Sequence, residues 1–270
     1  MNIIQKFNSK KPLMELKSLP FSFYSSAIYL DCYGHLLERN GELILVTQDP
    51  YYQQEFPAIF LPNRQINQIE ASVTFTSEAD IKKLEKNNIE IIIKKPIGGE
   101  FFYTTKLLLN PEPKIKRRIE QFKKSYKYKI SHSWPKEKVK DFYFEWKKQK
   151  KRSGDNFAEV ENFFFFCLDN LRTYKAKQVY VTVNDKLVGL AWGMEHQSGN
   201  WMGLQLKANY KFKGLSRFLH HERSKLFADK KLFTLGTGAQ DEGIIQFKRE
   251  LGPIEEKNYY YVLTGKKVGK

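Results

Sequence analysis

Between residues 178 and 263 the chain sets short apolar strands and amphipathic helices in one fixed order. Residues 178–183 and 186–195 read as strands separated only by Asn184-Asp185, a pair suited to a tight hairpin. A third strand at 200–206 is followed by a helix at 214–229, a strand at 232–235, a helix at 242–251 and a closing strand at 259–263. Strands 200–206 and 232–235 each run directly into a helix, so both are expected to lie parallel in an open sheet, with a ligand cleft off their C-terminal ends.

Upstream, β-branched and aromatic runs bounded by turn residues predict strands at 26–30, 41–47, 58–61 and 72–76. Ser77 as N-cap with Asp80 in an acidic first turn predicts a helix to residue 87, followed by a strand at 90–93. Pro96-Ile97-Gly98-Gly99 reads as a break, and 101–109 as a further strand. Two prolines within Asn110-Pro111-Glu112-Pro113 forbid a helix there, which places a domain boundary between 1–110 and 111–270. Beyond it, Ile115, Ile119 and Phe122 stripe a helix at 114–124, and 126–133 reads as a strand. Val139, Phe142, Tyr143 and Trp146 stripe a second helix, and 159–171 is apolar enough for a buried one.

The charge is uneven. The chain carries 46 Lys and Arg against 30 Asp and Glu, a net +16, while residues 111–153 alone hold 16 against 5, a net +11. Such a field concentrates polyanions: RNA, DNA, anionic lipid or a phosphorylated cofactor. The alternative is a solvated basic surface. A hydrophobic content of 41% with 15% aromatics excludes a disordered chain. Cys32 and Cys167 form no CxxC, and the five histidines no HExxH, so neither a disulfide scaffold nor a metal site is expected. The first 13 residues contain no apolar export segment, and no run is long enough to cross a bilayer. The expectation is a soluble, cytoplasmic protein.

The order from 178 onward is similar to the second half of the GNAT N-acyltransferase architecture. In that superfamily a (Gln/Arg)-x-x-Gly-x-(Gly/Ala) loop opens a helix and binds the coenzyme A pyrophosphate. Lys211, Gly214 and Ser216 occupy those positions, with Lys in place of Gln/Arg and Ser in place of the last small residue. A helix N-terminus with its free N–H groups suits an anion, and glycine lets phosphate approach the backbone. The segment from Leu235 to Pro253, including Gly243-Ile244 and Phe247-Lys248, resembles the ending of two tandem-GNAT groups. These are the C-terminal domain of phosphatidylglycerol lysyltransferases and the Fem-type aminoacyltransferases. The Lys/Arg-rich stretch 116–123 resembles the helix that begins the second GNAT unit there. The resemblance covers residues 110–265 and implies an α+β, tandem GNAT-like fold with mixed sheets flanked by helices.

It also implies chemistry: transfer of an acyl or aminoacyl group to an amine or hydroxyl, with acyl-CoA or aminoacyl-tRNA as donor and no tightly bound cofactor. On this basis Leu206, Lys207, Lys211, Lys213, Gly214, Leu215 and Ser216 would hold the donor, and Lys248 its phosphate, ribose or transferred carbonyl. Glu195 would be the base and Tyr260 the acid, alternate tyrosines of 259–261 facing opposite sides of their strand. Asp241 would either cap its helix or bind the acceptor amine, and Lys116, Arg117 and Arg118 would hold a polyanion. Lys248 and Asp241 read equally as ordinary helix residues. Two other functions fit the same residues: an acetyl-CoA-dependent N-acetyltransferase of a small molecule or protein, and a non-catalytic nucleic-acid-binding protein on a GNAT scaffold.

Overall fold

The computed structural model describes residues 2–10, 16, 19–39, 42–47, 58–59, 72–150, 157–237 and 241–266. The chain begins with β1 (Asn2–Lys6), a 3₁₀ turn (Phe23–Ser25) and α1 (Ala27–Tyr33), then β2 (Gly34–Arg39), β3 (Glu42–Thr47) and β4 (Ala58–Ile59). The strand expected at 26–30 is this first helix. Ser26 accepts a hydrogen bond from the Tyr29 N–H and so starts a helical turn, which the apolar run Ile28–Leu30 disguises in sequence.

β5 (Ser72–Ser77) leads into α2 (Glu78–Lys86), closed at its N-terminus by the reciprocal Ser77/Asp80 capping box. β6 (Ile89–Thr104) is one continuous strand of 16 residues, not the two pieces expected on either side of Pro96. A register shift opposite Ile97 absorbs the proline, where Gly98 takes φ 138. Residues expected to extend this strand form α3 (Thr105–Leu109) instead, capped by Thr104. Then follow α4 (Pro113–Ser125), β7 (Tyr128–Ser131), α5 (Lys136–Lys150) and α6 (Phe157–Asn170). The last part is β8 (Lys177–Val183), β9 (Lys186–Glu195), β10 (Trp201–Ala208), α7 (Leu215–Lys225), β11 (Leu232–Thr237), α8 (Glu242–Glu250) and β12 (Glu255–Lys266).

Two sheets result. The smaller runs β1-β2-β3-β4, and the larger runs β5-β12-β6-β11-β10-β9-β8-β7. The linker at residues 110–113 does not divide the larger sheet: β12 lies between β5 and β6, and β6 pairs with β11. The architecture is mixed α+β, an eight-stranded mixed sheet flanked by helices. The β8–β9 hairpin turns through Asn184 and Asp185, at φ 51 and 59.

One helix lies close against the sheet. A side chain at Gly189 would press on Leu215 and Leu219, one at Gly193 on Phe227, and one at Gly203 on the Arg223 guanidinium. Glycines on β9 and β10 therefore form the bed on which α7 and the turn that follows it rest. On the other face, α5 and α6 bury Tyr143, Phe164 and Trp192 in one stack.

Candidate active site

β10 and β11 run parallel but pair only at Trp201 with Phe233 and at Met202 with Thr234. Immediately beyond, the register of β10 against β9 shifts between Gly203 and Gln205, leaving Leu204 without a partner on β9. A bulge bends its strand, and the two parallel strands part. The gap opens into a cavity of about 750 Å³ bounded by the ends of β10 and β11, by α7 and by α8. Its far wall is aromatic: Phe23, Tyr24, Tyr29 and Tyr33 from the N-terminal segment, with Trp146 and Phe163.

α7 begins at Gly214, whose φ is 87 and which offers no capping side chain. A Cβ there would lie 2.2 Å from the Arg118 carbonyl oxygen. The glycine is thus required by its left-handed backbone and by α4 crossing the start of α7. Beside this crossing a second cavity, of about 380 Å³, is lined by Lys114, Arg118, Lys213, Ser216, Arg217 and Glu250. Ser216, Arg217 and Glu250 line the large cavity too, so the two adjoin at the first turn of α7.

Lys248 is buried rather than solvated, and its ammonium donates to the carbonyls of Leu235 (2.8 Å), Gly236 (3.0 Å) and Thr237. These belong to the end of β11 that has left β10. Burial pushes the Lys248 amine down to about 7, against the opposing pull of Glu100. Glu100 is itself wholly buried, accepting from Ser22 Oγ (2.6 Å), the Phe23 N–H (2.7 Å) and Thr234 Oγ1 (2.5 Å). Burial raises its pKa despite these donors. The carboxylate thereby ties the N-terminal aromatic segment to β6 and β11. Tyr24 adds a second tie, its hydroxyl 2.6 Å from Thr237 Oγ1.

The residues singled out in sequence sort clearly. Leu206, Lys207, Ser216, Asp241 and Lys248 all line the large cavity. Lys207 places its ammonium 4.5 Å from the Trp146 ring centre, and Asp241 both caps α8 and pairs with Lys150 at 3.6 Å. Lys213 and Gly214 line the smaller cavity. Leu215 is core, Lys211 is exposed, and neither faces either cavity. Of the cation cluster Lys116, Arg117 and Arg118, only Arg118 lines the smaller cavity, joined there by Lys114 one turn earlier.

Glu195 lies elsewhere. It pairs with Trp201 at the start of β10, whereas the cavity opens at that strand's other end, and it is held by Lys230 at 2.7 Å. Tyr260 is also outside the cavity; its hydroxyl bonds Glu78, and Lys94 sits over its ring. The opposite parity is the buried one, for Tyr259 faces Glu100. Sequence reasoning did not find Glu100, Arg217 or Arg223. The last sits on the apolar stripe of its own helix with Phe218 and Leu219, an Arg at a core position, which is the signal that could have marked it.

No protein-family model and no curated protein sequence matches the chain. Solved structures do. A conserved protein of unknown function from Bacteroides thetaiotaomicron superposes with a TM-score of 0.71 at 14% identity, over 90% of this chain and 90% of that one. FemX superposes at 0.59 with 12% identity, over 92% of this chain and 94% of that one. The C-terminal domain of a putative lysylphosphatidylglycerol synthetase from Agrobacterium fabrum does so at 0.55 with 11% identity, over 88% and 87%. The fold is therefore the one that the resemblance implied.

Proposed function

We propose that this chain moves an acyl or aminoacyl group from a phosphate-bearing donor onto an amine or hydroxyl acceptor held between β10 and β11. The observation that carries this reading is the parting of two parallel strands after two paired residues, with the start of α7 and a cationic cavity beside the opening. Donor phosphates would occupy the small cavity among Lys114, Arg118, Lys213 and Arg217. The acyl arm would pass the shared residues Ser216 and Arg217 toward Leu204.

There the acceptor atom attacks the carbonyl carbon and the C=O electron pair moves to oxygen. On collapse the donor C–S or C–O bond breaks, the leaving thiolate or ribose oxygen gains a proton, and the acceptor loses one. In this reading Leu204, unpaired by its bulge, offers a backbone N–H to the oxyanion. Lys248 holds the β11 end apart from β10 and adds positive potential in a water-poor site. Among the described residues Asp241 and Glu250 are the carboxylates lining the cavity and the candidates to take the acceptor proton, on release from Lys150 and Arg217.

Of the two donors, aminoacyl-tRNA makes use of the net +11 over residues 111–153, far beyond what a CoA pyrophosphate needs. A titration with acetyl-CoA and with aminoacylated total tRNA tests this. One donor should bind with affinity that falls steeply with salt, Lys114→Glu with Lys213→Glu should weaken it at least tenfold, and a primary amine should then discharge it. Failure of both donors to bind overturns the reading. RNA binding without discharge would mark a nucleic-acid-binding protein instead.

A further inference from the structure

Among the described side chains lining the large cavity are five cations and two carboxylates. Both carboxylates are already engaged: Asp241 with Lys150, and Glu250 with Arg217 at 2.5 Å. Arg223 is different. It is 1% exposed, and among the described residues no carboxylate pairs with it. Its guanidinium lies flat over Gly203, where an added Cβ would meet its carbon and both terminal nitrogens at 2.8 Å. Nη1 donates to the Trp192 (3.0 Å) and Gln205 (3.2 Å) carbonyls, which flank the bulge, while Nε–H has no acceptor.

His220, one turn earlier on the same face and 2% exposed, extends the pattern. Its Nε2 lies 3.3 Å from Arg223 Nη2. A guanidinium only donates, so Nε2 accepts and the proton of the neutral ring sits on Nδ1. That N–H reaches no acceptor beyond its own residue's backbone. Burial and the Arg223 charge both press the ring toward neutrality. α7 thus sets at the cavity floor a buried full charge without a counter-ion and two buried donors with no acceptor on another residue, both donors closed off from water-sized molecules. A charge taken out of water is costly unless it is paired.

We infer that Arg223 and His220 form a carboxylate-binding subsite at the floor of the cavity, for a substrate whose apolar body lies against the facing aromatic wall. An anion supplies both missing terms, charge and acceptor, and a carboxylate matches the planar guanidinium best. The aromatic wall of Phe23, Tyr29 and Phe163 favours an organic acid over an inorganic anion. The substrate of this cavity is accordingly an amino-acid-like or other carboxylate-bearing molecule. Only the statement that this molecule is the acceptor rests on the acyl-transfer reading.

The test uses hippurate and its uncharged analogue hippuramide, titrated calorimetrically into the full chain. Wild type should bind hippurate at least tenfold more tightly than hippuramide. Arg223→Met should bring the two within threefold of each other, and Arg223→Lys should retain part of the preference. Equal binding of the two by wild type, or no binding of either, overturns the proposal. So does an undiminished preference in Arg223→Met, which would assign the carboxylate to Lys207. If Arg223→Met fails to fold, the Arg223 Nε–H resonance of wild type decides: it should move with hippurate and stay with hippuramide, and an unmoved resonance overturns the proposal. None of these outcomes depends on donor binding or discharge, so this inference and the acyl-transfer reading fail separately.

Discussion

Removing the Lys248 ammonium strips three carbonyls of one donor at once, at a buried position. Lys248→Met should therefore lower stability by about 2–4 kcal/mol in urea denaturation, at the upper end for lost hydrogen bonds to a charged group. Gly214→Val should cost about 3 kcal/mol or more, because it combines a left-handed backbone with a side chain forced onto the Arg118 carbonyl. A variant as stable as wild type would mean that α4 moves aside freely. Both residues are visible in sequence as members of a loop or helix motif. The forces acting on them are not, since Arg118 lies 96 positions from Gly214 and no local pattern records what crosses what. Tyr260 illustrates the same limit: alternation separates the tyrosines into two faces, but which face is buried depends on Glu100 and its partners.

At the scale of elements, the β8–β9 hairpin holds two non-glycine residues at positive φ. Asp185→Gly should raise stability by about 0.5 kcal/mol by relieving the left-handed position, which a shift in the urea midpoint would register. The exposed Lys129 ion pair lost in the exchange counts for little. Where a cap or turn declares itself locally, as at Ser77/Asp80 or Asn184-Asp185, the element is legible in sequence. Where two readings share one apolar run, as at residues 26–30, the cap outweighs the run, and α1 forms where a strand was expected. β6 is the reverse case. Pro96 and two glycines predict a break, but twelve paired positions with β12 hold the strand together across it.

Over the whole molecule, the N-terminal segment is fastened to the far end of β9 through His196, whose Nε2 lies 3.1 Å from Ser25 Oγ, while Gln197 donates to the Ser25 carbonyl at 2.6 Å. Burial pulls the His196 pKa down from 6.5 to about 4, so the unfolded chain binds more protons between those values. Its contribution is complete above pH 6.5 and is lost as pH falls through about 4, amounting to about 3 kcal/mol. Melting curves of wild type should weaken across that window, and His196→Gln should flatten the slope. No described helix is long and apolar enough to cross a membrane. The placement of β12 between β5 and β6 has a consequence during synthesis. The strand that joins β5 to β6 emerges roughly 160 residues after β6 ends, a wait of about 8–30 s at ordinary elongation rates. Through that interval the nascent chain presents two unfilled strand edges and the exposed Ile92 and Ile93 to its surroundings. A ribosome stalled anywhere before residue 255 would hold a chain whose largest sheet lacks its keystone, prone to borrow a strand from a neighbour on the same message.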